Sequence, residues 1–148
     1  MLRGHFECIL DDKGRIKIPS KFLETLRGSG VNTLVMTFFD QSIYAYPKNT
    51  WEELESKALN LPLTNKSARR FKRMFFSSAI DVNLDSQGRI TIPQILRQLA
   101  NIEKNIVVLG NLDHIELWSS QNWLQEMDLL RQDEDKLAQE IESLGIKL

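Results

Sequence analysis

A passage written twice constrains this chain more than anything else in it. Residues 6–19 read FECILDDKGRIKIP and residues 80–93 read IDVNLDSQGRITIP. At a constant offset of 74, Leu10, Asp11, Gly14, Arg15, Ile16, Ile18 and Pro19 fall on Leu84, Asp85, Gly88, Arg89, Ile90, Ile92 and Pro93. The copying continues at an offset of 72, where TLVMTFFDQSIYAYPKNTW (33–51) answers NIVVLGNLDHIELWSSQNW (105–123). Val35 then matches Val107, Tyr46 matches Trp118 and Trp51 matches Trp123. An internal repeat fixes the architecture before any single element does. It also presents any binding surface at least twice.

One unit of about 45 residues buries too little surface to be stable alone, whereas two fused copies can share a core. The whole chain carries a net charge of −1, but that average hides an asymmetry. Residues 1–80 are net +5 and residues 81–148 are net −6. Such a division hints at a polyanion-binding part beside an acidic tail. Cys8 is the only cysteine, so no internal disulfide can form. Its place in an alternating apolar strand makes it a small core residue rather than a reactive thiol. No apolar run approaches the roughly 18 residues of a membrane helix, and the N-terminus lacks the apolar stretch of a signal peptide. The expectation is a soluble protein of the cytoplasm with no membrane partner.

Phe6, Cys8 and Leu10 alternate with polar neighbours, as do Ile16 and Ile18 after the turn; the second copy repeats the alternation more cleanly. Period-two alternation on both sides of a glycine-containing turn predicts a half-buried hairpin in each copy. Gly14 and Gly88 are expected to supply the positive φ that closes it. Ile18-Pro19 and Ile92-Pro93 mark a switch to a short helix, since proline suits the first helical position. Two further strands follow in each copy, near 33–38 with 43–46 and near 105–109 with 114–118. Each repeat therefore reads ββαββ. Between the repeats, helices are expected over 48–60 and from a Thr64 cap to about Phe76. Ser119 or Ser120 can cap a long terminal helix whose apolar stripe runs from Trp123 through Met127, Leu130, Leu137 and Ile141 to Leu144. That stripe can dock on its own protein, on a neighbouring subunit or in a coiled coil.

Asp11-Asp12-Lys13-Gly14-Arg15 and Asp85-Ser86-Gln87-Gly88-Arg89 share the pattern D-x-x-x-R. Leu10 and Ile16 face inward, so Asp11 and Arg15 both start from the polar side of the turn. One reading is an Asp–Arg pair that merely fastens a hairpin, of little worth if exposed. The other is a functional motif, favoured because both members survive in both copies while the residues between them drift from DK to SQ.

The duplicated hairpin, D-x-x-x-R followed by I-x-I-P, resembles the AbrB-like (SpoVT–AbrB) DNA-binding domains of bacterial transcription regulators. Two copies in one chain, the opening MLRGHFECILDDKGRIKIPSKF and the intervening LPLTNKSARRFKRMFFSSA (61–79) are similar to the MraZ family. The resemblance covers about residues 1–125 and leaves the acidic tail outside it. It implies an α+β fold in which two ββαββ repeats interleave as a swapped-hairpin β-barrel. Repeat 1 would span 5–50, a helical linker 51–76, repeat 2 77–122 and the acidic tail 123–148. It implies further a ring-shaped homo-oligomer, associated with the nucleoid, that regulates its own promoter and a division and cell-wall gene cluster. The duplex partner would carry short G-rich direct repeats, and no cofactor or metal is implied.

Arg15 and Arg89 match the family's DNA-contacting arginine, and arginine can take guanine O6 and N7 bidentately or grip phosphate. Asp11 and Asp85 would aim the arginines and shape the turn, or accept from a cytosine amino group. Lys13 and Lys17, beside Arg15, are phosphate candidates. The second copy has Gln87 and Thr91 there, so the first is expected to bind more strongly. Lys66, Arg69, Arg70, Lys72 and Arg73 put five cations in eight residues. On a helix Arg70 and Arg73 share a face with Lys66, opposite Ala68, Phe71 and Phe75. That face is a solvated surface, a phosphate-contacting rim or an inter-subunit ion-pair surface.

Enzyme chemistry finds little support. The two histidines, His5 and His114, lie in no metal-ligand spacing and beside no nucleophile motif, and the glycines form no phosphate loop. The rival class is an AbrB-like antitoxin that neutralises a protein partner through its tail, where 126–142 holds seven acids against two bases. A small toxin gene as neighbour would favour that reading, and division genes the first.

Overall fold

Alternation decides which side of a strand faces inward but leaves open which strand it pairs with. In the computed structural model, which describes residues 1–148, the pairing crosses between repeats. The first repeat runs β1 (Leu2–Ile9), β2 (Arg15–Lys17), α1 (Ser20–Gly28), β3 (Thr33–Phe39) and β4 (Ser42–Pro47). Helices α2 (Lys48–Ala58) and α3 (Lys66–Phe75) form the linker. The second repeat runs β5 (Ile80–Asn83), β6 (Arg89–Thr91), α4 (Gln94–Leu99), β7 (Asn105–Leu112) and β8 (His114–Ser119). Helices α5 (Ser120–Gln132) and α6 (Glu134–Ser143) complete the chain. The ββαββ order is therefore present twice.

Each repeat keeps its own second hairpin, β3–β4 or β7–β8, and lends its first strand to the other. β1 adds to β7 and β5 adds to β3, while β4 and β8 meet in the middle. The antiparallel sheet has the order β1-β7-β8-β4-β3-β5, which reads the same from either end when the repeats are exchanged. β2 and β6 form a separate two-stranded ribbon. This corrects the expectation of a hairpin within each copy, because β1 and β2 find partners in the other repeat rather than in each other. The turn between them still closes locally, with the Asp11 N–H donating to Arg15 O and the Asp85 N–H to Arg89 O, both at 2.9 Å. The repeats interleave, but no hydrogen-bonded ladder closes the strands into a barrel.

The ribbon is held by its inner side chains. Ile16, Ile18, Ile90 and Ile92 are all buried, packed with Leu34, Met36, Ile43, Ala45 and Val108 of the sheet. Each such burial stabilises by about 1.5–3 kcal/mol. Leu34 and Met36 turn to this core, so Val35 between them must turn to the other side of the sheet. There it meets Tyr46, Trp51 and Phe75 in a second cluster. The ribbon thus covers one face of the sheet, and α2 and α3 cover the opposite one.

Proline precedes three of the helices, and at Pro19 and Pro93 it sits one position earlier than expected. Pro19, Pro47 and Pro93 are cap residues at φ −51°, −51° and −56°, with ψ near the extended region. The ring's fixed φ suits that geometry, and no side chain satisfies the first amides. α3 is capped by the Asn65 side chain, which accepts from the Ala68 N–H, and not by Thr64. Ser119 caps α5 by accepting from the Asn122 N–H. The single long terminal helix is broken at Asp133, and none of the residues of α6 is buried. No helix is long and apolar enough to cross a membrane.

Candidate nucleic-acid interface

Each D-x-x-x-R turn is built around its aspartate. Oδ1 of Asp11 accepts the N–H groups of Lys13 and Arg15, each at 2.9 Å, and Oδ2 accepts Arg15 Nε at 2.8 Å. The second turn reproduces this, with Asp85 Oδ1 accepting from Gln87 and Arg89 N–H at 2.9 Å and Oδ2 from Arg89 Nε at 2.8 Å. Gly14 and Gly88 take φ +76° and +75°, as the turn requires. The backbone N–H of the arginine is the largest influence holding each carboxyl below the usual carboxylate range, followed by the guanidinium and the N–H two residues on. Three of the roughly four lone-pair positions of each carboxylate are thus occupied within the turn. The aspartate is a brace, and the terminal nitrogens of each arginine take no hydrogen-bond partner within the chain.

Where the arginines sit follows from the ribbon. Ile16 and Ile90 point into the core, so their neighbours point out. The register sets Arg15 opposite Thr91 and Lys17 opposite Arg89. Arg15, Lys17 and Arg89 therefore share the outer face of one short antiparallel ribbon, with Asp11, Lys13 and Asp85 at its two turns. The structure brings these six residues together. It sets Arg70 and Arg73 apart from them, on α3, whose Phe71 and Phe75 pack on the opposite face of the sheet. The cations of α3 lie at the surface, and none pairs with an acid of the second half.

Sequence reading passed over two features here. Arg97 lies on α4 with its guanidinium against Gly14, and its Nε donates to Ile92 O at 3.0 Å. The signal was present, because at the offset of 74 Arg97 falls on Leu23. The second feature is His114, buried and packed against both Tyr44 and Tyr46 with ring centroids 4.8 and 4.7 Å away. Its Nδ1 lies 2.8 Å from Asp113 Oδ1 and its Nε2 3.3 Å from Glu116 Oε1. Burial disfavours the charged ring, but the bonds to Glu116 and Asp113 outweigh it and raise the pKa above 6.5. Burial raises the carboxyl of Glu116, while bonds from His114, Trp118 and Asn111 outweigh that and lower it. These groups lie on the helix-covered face of the sheet, away from the ribbon.

The family model described as "MraZ protein, putative antitoxin-like" matches residues 1–74 and again 75–142. The chain belongs to the MraZ family. It is 42% identical over 146 residues to the transcriptional regulator MraZ of Caldicellulosiruptor saccharolyticus, covering 99% of this chain and 100% of that protein. The transcriptional regulator MraZ of Clostridium botulinum (strain Eklund 17B) is 44% identical over 148 residues at the same coverage. That of Halothermothrix orenii is 40% identical over 146 residues, again at that coverage. The solution structure of PHS018 from Pyrococcus horikoshii aligns at a TM-score of 0.33 and 17% identity, over 77% of this chain and 94% of that one, and carries no argument. MraZ membership accounts for the repeat: two copies, matched separately, make one fold.

Proposed function

We propose that this chain is a sequence-specific DNA-binding transcriptional regulator that reads its own promoter with the β2–β6 ribbon. One observation carries the reading: two braced arginines and a lysine converge on the outer face of a two-stranded ribbon. A ribbon of this kind, with strands about 4.8 Å apart, enters a B-DNA major groove about 12 Å wide. Arg15 and Arg89 keep their terminal nitrogens for guanine O6 and N7, while Lys13 and Lys17 face phosphate. With three carboxylate positions used by the turn, Asp11 and Asp85 serve by aiming the arginines. The duplex sequence is a short G-rich direct repeat upstream of the chain's own division and cell-wall gene cluster. The acting species is a ring of several copies in the cytoplasm, at the nucleoid. The apolar face left open between α2 and α3, lined by Phe39, Leu54, Leu61, Phe71 and Phe76 around about 320 Å³, is available to neighbours.

A gel shift with the chain's own upstream duplex, run beside light scattering, tests this reading. A discrete complex that survives excess random DNA, formed by a species far larger than a dimer, is expected. No shift at micromolar protein removes the reading.

A protein-neutralising role has one supporting observation. α6 buries none of its residues, and Leu137 within it and Leu144 just beyond it are exposed beside its acids. Removing residues 133–148 should abolish that role and leave the DNA complex intact.

A further inference from the structure

We propose that Arg97, contributed by the second repeat, completes the nucleic-acid contact of the first turn and makes the two sites of one chain unlike. The inference rests on the DNA-binding reading above. The slot over each turn glycine is filled by a helix residue from the other repeat. α1 lays Leu23 over Gly88, where a Cβ would stand 2.5 Å from Leu23 Cδ2. α4 lays Arg97 over Gly14, with Cζ and Nη2 each 3.1 Å from the same point. Hydrocarbon covers one turn and a cation covers the other.

The fold does not need that cation, since leucine covers the equivalent turn and leaves its braced geometry identical. Nor is the charge neutralised within the chain. Arg97 forms no salt bridge, and its one hydrogen bond runs from Nε to Ile92 O at 3.0 Å. The Ile92 N–H in turn donates to Gly14 O at 2.8 Å, so turn, strand and guanidinium are tied in sequence. Nη1 and Nη2 are left free. A guanidinium already held in one place loses little freedom on gripping a phosphate, and its fork matches phosphate oxygens. Arg97 also forms a wall of an open polar trough of about 550 Å³, lined further on by both Glu103 and Lys104 and by Ser120, so its guanidinium stands open to solvent on that side.

The two turns therefore carry their charge on different side chains. Lys13, Arg15 and Arg97 lie at the first turn beside Asp11 and Asp12, whereas Arg89 has Lys17, borrowed across the ribbon, with Asp85, Ser86, Gln87 and Leu23 beside it. The test is fluorescence anisotropy on a random-sequence duplex and on the chain's own upstream duplex across a salt series. Wild type, Arg15→Ala, Arg97→Leu, Arg97→Gln and Arg97→Lys are compared, each checked for mass and thermal unfolding. Arg97→Leu installs the residue the protein already uses at position 23. It should bind about tenfold more weakly at low salt, with a slope of log K against log salt smaller by about 0.9 for each engaged chain. Arg97→Lys should retain the slope. A wild-type slope in both neutral variants overturns the proposal. If that happens while Arg15→Ala still loses the upstream duplex, only Arg97 is misassigned. Absence of binding by wild type removes the DNA reading itself.

Discussion

Lys17 and Arg89 face each other across the β2–β6 ladder although they belong to different repeats. The lysine that sequence proximity gives to Arg15 thus stands beside the other arginine, and Thr91 takes the place opposite Arg15. The unequal binding expected from Lys13 and Lys17 together has to be redrawn, since only Lys13 stays with the first turn.

Arg15→Ala should leave the fold intact and remove most specific DNA binding. One bidentate base contact is worth about 1–3 kcal/mol, and an oligomer multiplies the loss across its subunits. Asp11→Asn should weaken binding too, with Arg15 still present, because the guanidinium loses its brace at Oδ2. The folded carboxyl lies below its ordinary value, so its contribution to stability is present above about pH 3.8 and lost as pH falls through the native value. Acid unfolding of Asp11→Asn should accordingly be less steep than that of wild type. Arg15→Ala protein that is folded and shifts its promoter DNA normally would falsify the role given to that arginine.

His114 and Glu116 predict a plateau of stability with two edges. The native histidine titrates above 6.5, so its contribution is full below that value and fades as pH rises through the raised one. The native glutamate titrates below 4.5, so its contribution is present above that value and fades as pH falls further. Urea midpoints of wild type should therefore fall between about pH 5.5 and about pH 8.5. His114→Phe, which keeps the stack with Tyr44 and Tyr46, should flatten that fall. An equal pH dependence in both proteins rules out the pair as its source.

Gly110→Ala should destabilise strongly. A Cβ there would stand 2.5 Å from Arg3 N and 2.7 Å from Arg3 Cα, backbone atoms of the exchanged strand β1. Nothing flexible can yield, so β1 has to shift, at a cost of about 1–3 kcal/mol or more. Gly28→Ala is the control: no atom lies within 4 Å of its added methyl, and it should stabilise by about 0.4–1 kcal/mol. Denaturant midpoints of the two variants should move in opposite directions.

Arg70 and Arg73 stand on the face of the sheet opposite the ribbon. A duplex lying on the ribbon of one chain does not reach them, so changing both to alanine should leave the salt slope as it was. A slope shallower by about 0.9 for each phosphate no longer gripped, with the oligomer intact, would place DNA over both faces of the assembly. Loss of mass before loss of binding would instead identify an inter-subunit surface.

The ββαββ order, the braced turn and the face shared by Phe71 and Phe75 were legible in the residues, because each depends on neighbours within a few positions. Strand exchange was not legible in the alternation itself, although the family resemblance implied that the repeats interleave. Phe6 and Val82 alternate identically whether they pair inside their own copy or across to β7 and β3, and the pattern carries no label for the partner. The cap at Asn65 rather than Thr64 is a one-residue matter, settled by which side-chain oxygen reaches the Ala68 N–H. The contact of Arg97 with Gly14 joins positions more than a whole repeat apart and appears only when α4 is placed over the opposite turn. The break at Asp133, φ −117° and ψ 20°, interrupts a stripe whose second half meets no core of its own.

Joining the two repeats covalently has a consequence for polarity. Two separate identical chains would present a ribbon with interchangeable ends, matched to a palindrome. In one polypeptide the halves are free to diverge, and they have done so at Lys13 and Gln87, at Lys17 and Thr91, and at Arg97 and Leu23. A ribbon with dissimilar ends has a head and a tail. It can be set down on a double helix in only one preferred sense, and successive copies aligned in that sense would call for sites repeated in tandem rather than mirrored.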